Sequence, residues 1–446
     1  MSFVFLRKPG RPYPVAARAE GVWIWDTEGR RYLDGCSSAC VVGIGHGVRE
    51  VEEAALAQRR AVSFVHGATF LTEACERFAA RVAGLASDPH LDKVYLVSTG
   101  TEAVETAVKL ARQYWQEVGE PRRHKVISRW GSYHGNTVGA LAYGGHAGRR
   151  RPYDPLIPHT PHIEPCYCYR CPYGLQPDRC GLVCAEALDR AVRFEGPETV
   201  AAFLAEPVVG ATLGAAVPPP GYWPRIREIC DAHGILLIAD EVLTGAGRTG
   251  RGLALEHWGV SADLVTLAKG LASGYAPVGA VLAHAKIHDA IRDGSGAFVH
   301  GFTYNQHPVA MAVGDRVLRY LEEHRLIDRA ARMGTVLLER LRTLSDLPVV
   351  GDVRGIGLLA GIEFVADRDT REPFPAQAGF AWRVGEEARK RGLLTYPGTG
   401  CTDGLRGDHV LICPPFVIDE DEISFLVDRL REAVEAAGNP ADERGS

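Results

Sequence analysis

The stretch from Gly234 to Gly270 puts two kinds of reactive group at the ends of apolar runs. Residues 235–239 (ILLIA) are continuously apolar, the pattern of a strand buried on both faces, and Asp240 and Glu241 follow directly. Residues 264–268 (LVTLA) form a second run, which ends in Lys269. A carboxylate buried without partners is costly. Open α/β sheets bind ligands beyond the carboxyl ends of their strands. An acid and an amine at two such ends are placed for covalent amine chemistry assisted by a fixed charge.

That pair suits pyridoxal 5'-phosphate, whose aldehyde needs a lysine for a Schiff base and whose ring nitrogen needs an acid to stay protonated. Plainer readings compete. Asp240 also reads as a turn or cap residue, and Lys269 as a solvated charge. Lysine is scarce, however, occurring only as Lys8, Lys93, Lys109, Lys125, Lys269, Lys286 and Lys390. Of these, Lys269 ends a buried-looking run and precedes a glycine. Gly245, Gly247 and Gly250 spell G-x-G-x-x-G, but the context of a dinucleotide site is missing. Arg251-Gly252 stand where a helix should begin, and Asp263 opens a strand instead of closing one.

Other strand ends offer matching groups. Gly100 and Thr101, in Ser98-Thr99-Gly100-Thr101, begin a helical run and present N–H groups and a hydroxyl to a phosphate; an ordinary helix cap is the alternative. Tyr133, in Ser132-Tyr133-His134-Gly135, is placed to cover a flat ring, or is a loop tyrosine. Val242 shares the side of Asp240 in an extended chain and suits the other ring face. Glu206, before Pro207, adds an acid to the rim or is a turn residue.

The elements that must carry these groups are legible. At 446 residues and a net charge of −5, the chain has room for two or three domains and lacks a basic footprint for nucleic acid or an anionic membrane. No apolar run approaches the roughly 18–20 residues of a membrane span, and the start MSFVFLRKPGRPYPV lacks the order of a signal peptide, so the cytoplasm is expected. Residues 22–35 read as a hairpin turning at 26–29. Strands at 93–98, 125–128, 200–205, 235–239, 264–268 and 278–283 alternate with helical patterns, a βαβ series implying a mostly parallel sheet covered on both faces. Long helices are expected over 309–344. The C-terminal part reads as α+β, with strands at 358–364 and 409–412, helices at 382–390 and 421–437, and a frayed tail from 438 onward.

The motifs DEVLTGAGRTG (240–250), LAKG (267–270), GTEA (100–103), YHG (133–135), AEPV (205–208) and FTYN (302–305) occur in one order across most of the chain. In these the sequence resembles the class III aminotransferases of fold type I. The resemblance implies an α/β fold, with a large domain of mostly parallel sheet flanked by helices at 71–330 and a smaller α+β domain from both chain ends, 1–70 and 331–446. It implies Lys269 as the Schiff-base lysine, Asp240 as partner of the ring nitrogen, Gly100 and Thr101 on the phosphate, and Tyr133 and Val242 on the ring faces. It also implies Thr303 reaching the phosphate of a neighbouring subunit, hence a homodimer with shared sites, a tetramer remaining open. The expected activity is transfer of an amino group from an amine or ω-amino acid to pyruvate or a similar keto acid in ping-pong half-reactions, with Lys269 as anchor and base.

Asn136 follows the YHG motif, and Leu411-Ile412-Cys413 precede Pro414-Pro415, where members acting on ornithine-type or γ-amino substrates carry arginines. Arg406 resembles the mobile carboxylate-binding arginine of pyruvate-linked ω-transaminases, or is a loop arginine. Cys40 stands where many of them carry an aromatic residue, which marks it as a substrate-pocket position. Five of eleven cysteines cluster at 166–184, in the loop 164–185. Cys168, Cys171, Cys180 and Cys184 have spacing compatible with a structural zinc, with local disulfides, or with free thiols. A racemase, epimerase or aminomutase of the same fold is the alternative within the family. A non-catalytic cofactor- or metal-binding protein using the cysteine cluster is the alternative from another class.

Overall fold

Alternation along one strand sets up the layers. In Leu236–Asp240, Leu237 and Ala239 join one hydrophobic core while Leu236 and Ile238 join another. Successive side chains of a strand point to opposite faces, so the sheet is covered on both. The computed structural model describes residues 3–438. The tail expected to fray lies, apart from Gly438, outside the described residues.

The central sheet has seven strands in the order Leu91–Val97, Gly279–His284, Leu264–Leu267, Leu236–Asp240, Val200–Ala205, Lys125–Arg129 and His162–Ile163. It is parallel from Leu264–Leu267 to the His162–Ile163 edge. Gly279–His284 runs antiparallel to both its neighbours, so it does not continue the expected βαβ series. The reason is the short link after Lys269: it contains a single 3-10 turn, Lys269–Leu271, and a parallel return needs a crossover of a dozen or more residues. The two-residue strand His162–Ile163 gave no signal in sequence.

Two four-stranded sheets flank the large one. The hairpin forms as Trp23–Asp26 and Arg31–Asp34, with Asp26 accepting the Glu28 and Arg30 N–H groups in the turn. Ala16–Glu20 extends it on one side and Leu393–Leu394, from the far end of the chain, on the other. The third sheet has the order Val350–Ile356, Leu359–Phe364, Asp408–Ile412, Tyr396–Thr399. The long helical region is two helices, Pro308–Glu323 and Leu326–Arg342. No helix among the described residues is long and apolar enough to cross a membrane.

Candidate active site

Five strands deliver side chains to one rim. Ser98 to Thr101 follow Leu91–Val97, Tyr133 and His134 follow Lys125–Arg129, and Glu206 follows Val200–Ala205. Asp240 closes its own strand, and Lys269 comes two residues after Leu264–Leu267. They enclose a cavity of about 610 Å³ that is lined by Lys269, Asp240, Glu206, Tyr133, Gly100 and Thr101, and also by Val242 and Cys40. Eight positions singled out in sequence therefore meet in one place.

Among the described residues, Lys269 is the one lysine that lines this cavity. Its backbone has φ 41°, a left-handed conformation that is costly for a residue with a side chain and is retained where surroundings impose it. Its amine makes no hydrogen bond among the described residues. Burial pushes its pKa down from 10.5 to about 8, against the pull of Asp240 and Glu206. Asp240, by contrast, is fully engaged. Oδ1 accepts the Val242 N–H at 3.1 Å and the Thr266 hydroxyl at 3.0 Å, and Oδ2 lies 2.7 Å from His134 Nδ1. The adjacent acid, Glu241, points to the other face, where its carboxylate accepts from the Thr244 hydroxyl and the Leu255 N–H. Burial raises its pKa to about 7. Two neighbouring carboxylates thus have separate surroundings. Glu206 accepts N–H groups of Tyr133 and Gly210 at 3.0 and 3.2 Å, and burial raises its pKa, with the charge of Asp240 adding to the effect.

Gly100 opens the helix Gly100–Glu117, capped by the Thr99 hydroxyl accepting from Glu102 N–H. A Cβ on Gly100 would lie 2.8 Å from Val242 Cγ1, so glycine keeps this helix start against the valine. The helix dipole and free N–H groups there suit a phosphate. An unpartnered amine, a held carboxylate, a helix start and the walls of Tyr133 and Val242 fit pyridoxal phosphate.

The glycine-rich loop has a packing role. A Cβ on Gly247 would meet Ile327 at 2.9 Å, and one on Gly250 would meet Ala331 at 2.7 Å. Between them, buried Arg248 donates to the carbonyls of Leu358 and Pro414. The segment Ser37–Cys40, left-handed at all four residues, meets this loop where Arg248 Nη2 donates to Ser37 Oγ at 3.3 Å. Ser273 Oγ, four residues after Lys269, accepts the Gly43 and Ile44 N–H groups and ties it down.

Other expectations come out differently. Cys40 borders the cavity, but its sulfur is bonded to Cys413, the one disulfide among the described residues. The zinc reading of Cys168, Cys171, Cys180 and Cys184 is corrected. Among the described residues no group of three or more His, Cys, Asp or Glu side chains is placed to hold a metal ion, and all four are free thiols. They border a small cleft with Tyr173, Leu175 and several prolines, and burial raises Cys168 to about 11 and Cys184 to about 12, so both stay protonated. Arg406 lies outside the cavity lining, exposed, with its guanidinium on Asp403 and Glu372. Thr303 is likewise not on this cavity. Two contributors carried no assigned role in sequence. His134 sits inside the YHG motif, beside a residue that drew attention for its ring. Arg149 falls in a run of three arginines that reads as surface charge.

The comparisons agree with this fold. The family model for class III aminotransferases matches residues 7–434. The chain belongs to the class III aminotransferase family. The Bacillus subtilis aminotransferase YodT is 42% identical over 436 residues, covering 97% of this chain and 98% of its own. The putrescine–pyruvate aminotransferase of Pseudomonas aeruginosa is 37% identical over 94% of this chain and 90% of its own. Among solved structures, an (S)-enantioselective ω-transaminase from Thermomicrobium roseum superposes with a TM-score of 0.91 at 39% identity, covering 96% of this chain and 94% of its own. An amine transaminase from an uncultivated Pseudomonas species, solved with pyridoxal phosphate bound, has a TM-score of 0.91 at 37% identity, covering 98% of this chain and 97% of its own. The fold is that of fold type I class III transaminases. Enzymes of this family use pyridoxal phosphate.

Proposed function

We propose that this aminotransferase moves an amino group from an amine or ω-amino acid to pyruvate or a similar keto acid, with Lys269 as cofactor lysine and general base. The observation that carries the reading is the Lys269 amine, unpartnered and with its pKa brought to about 8, sharing a cavity with a carboxylate held by three groups. Bound pyridoxal phosphate supplies an aldehyde and an electron-accepting ring. Asp240 supplies the fixed negative charge at the ring nitrogen, and His134 and Thr266 keep its oxygens oriented. The free N–H groups of the helix at Gly100, with Thr101, hold the phosphate. Tyr133 and Val242 confine the ring from its faces, and Glu206 fixes the Tyr133 backbone. Lys269 Nζ, whose neutral form burial favours, takes the proton from the substrate α-carbon. The donor named for the Pseudomonas aeruginosa relative, putrescine, and the amine transaminases among the solved structures support an amine donor.

The same reading makes the working unit a homodimer in which Thr303 serves the partner's site. Supporting this, Tyr304 is exposed next to Thr303 and in ring contact with exposed Phe64, and Phe70 and Leu71 are exposed as well. Sedimentation gives the mass, and mixing K269A with T303A chains tests sharing through recovered activity.

The activity is tested on cofactor-loaded protein given single donors without an acceptor. Loss of the visible cofactor band with release of an aldehyde, ketone or keto acid supports transamination, and the responsive donors rank the substrates. A band that persists while the α-hydrogen of an added amino acid exchanges with solvent favours a racemase or mutase.

A further inference from the structure

The run Arg149-Arg150-Arg151 splits its duties. Arg149 and Arg150 end the short helix Ala147–Arg150. Arg150 is structural: Nη1 donates to the carbonyls of Leu141, Ala142 and Gly144 at 3.2, 2.9 and 2.6 Å, and its guanidinium stacks near Trp130. Arg149 turns instead to the active-site cavity, which it lines together with Lys269 and Asp240. Its guanidinium carbon lies 4.6 Å from the Tyr133 ring centroid. Its charge, after the effect of burial, is among those that depress the pKa of Lys269.

The turn carrying Arg149 is clamped. His146 Nε2 lies 3.0 Å from the Thr399 carbonyl, and a Cβ on Gly404 would come within 2.7 Å of Ala147. The loop that contains Arg406 therefore presses on the back of the turn. Arg406 itself spends its guanidinium on Asp403 and Glu372 at 2.8 and 3.0 Å. Among the described residues no carboxylate pairs with Arg149. The acids of the cavity are engaged elsewhere, Asp240 by His134, Thr266 and Val242, and Glu206 by backbone N–H groups. A partly buried guanidinium without a counter-ion lacks the anion that its planar fork matches best, a carboxylate bound in bidentate fashion.

We propose that Arg149 binds the substrate carboxylate, so that 2-oxo acids and α-amino acids are the carboxylate-bearing partners of this site. The inference rests on the aminotransferase reading above. The Tyr133 ring, 4.6 Å from the guanidinium carbon, holds the charge beside the cavity, and the clamped turn fixes its origin. No swing of the 400–407 loop is needed for a carboxylate to be bound, and carboxylate-free amines use the cavity without engaging Arg149.

The test compares wild type, R149M, R149K and R406A as cofactor-loaded enzymes. Carboxylate substrates are L-alanine and pyruvate; carboxylate-free ones are 1-phenylethylamine and propanal. In R149M the ratio of kcat/KM for carboxylate over carboxylate-free substrates falls about 10- to 100-fold, mainly through KM, the range of a charge-assisted hydrogen-bond pair. R149K, which keeps the charge and loses the fork, recovers part of the loss. Calorimetric binding of benzoate, a carboxylate that cannot react, weakens in R149M by a similar factor. Equal losses on all four substrates, with benzoate binding kept, mean that Arg149 acts only by supporting Tyr133, which overturns the proposal. So does a selective loss carried by R406A and absent from R149M. An active wild type with either result overturns the proposal alone. A wild type that converts no donor overturns the aminotransferase reading as well.

Discussion

If the Lys269 amine is held in a poorly hydrated site, its titration must show it. Desolvation penalises the ammonium form, so the neutral amine is reached at lower pH than in water. With a pKa of about 8, about one-tenth of Lys269 is neutral at pH 7, against about 0.03% for an amine at 10.5, a gain of about 300-fold in the reactive form. The perturbation is a pH series on the cofactor-free protein. The assay is trace acetylation with isotopic labels, read peptide by peptide, with the other lysines as internal references. Labelling of Lys269 should rise tenfold per pH unit below pH 8 and level off by about pH 9. Replacing Asp240 by Asn removes the opposing attraction, and the midpoint should move lower still. A Lys269 midpoint at or above pH 10 would refute the claim that burial governs this amine, and an upward shift in D240N would refute the assignment of Asp240 as its attractive neighbour.

Other outcomes follow from single contacts. G100A must displace Val242, whose Cγ1 would lie 2.8 Å from the new Cβ, at a cost of about 1–3 kcal/mol; thermal unfolding and cofactor release should show a less stable, leakier enzyme, with V242A restoring part of the loss, and wild-type retention in G100A counts against the cradle. Glu241 binds its proton more tightly in the fold than in the unfolded chain, so the stability it contributes is full below pH 4.5 and is lost as pH rises through about 7. E241Q should therefore gain on wild type by roughly 3 kcal/mol between pH 4.5 and pH 8.5, and a pH-independent difference in unfolding free energy argues against a buried, raised carboxyl. Alkylation of the denatured, unreduced chain should block nine thiols, and eleven after reduction, since Cys40 and Cys413 are joined; eleven without reductant removes the disulfide.

Local chemistry was legible in the chain alone. Continuous apolar runs announced the parallel strands because both their faces are buried, and a charged residue directly after such a run has few places to go except a rim. Asp240 and Lys269 were legible as rim residues for that reason, Gly100 as a helix start and Tyr133 as an aromatic after a strand, and the ordered motifs made the family legible. Tertiary structure decided what depends on meeting partners far away in the chain. The antiparallel course of Gly279–His284 follows from the shortness of a link, not from its own residues. The glycines at 245–250 spelled a dinucleotide fingerprint without its context, and Gly247 and Gly250 make room for a helix some eighty residues on, because spacing records that a close approach occurs and not what approaches. The cysteine spacing allowed a metal, but among the described residues the side chains border a small cleft without bringing three ligands together. Arginine is the clearest case. Arg149 and Arg150 are alike in sequence and only Arg406 stood out, yet the position of carbonyls, carboxylates and an aromatic ring around each of them separates a structural clamp, a paired surface charge and a cation facing the site.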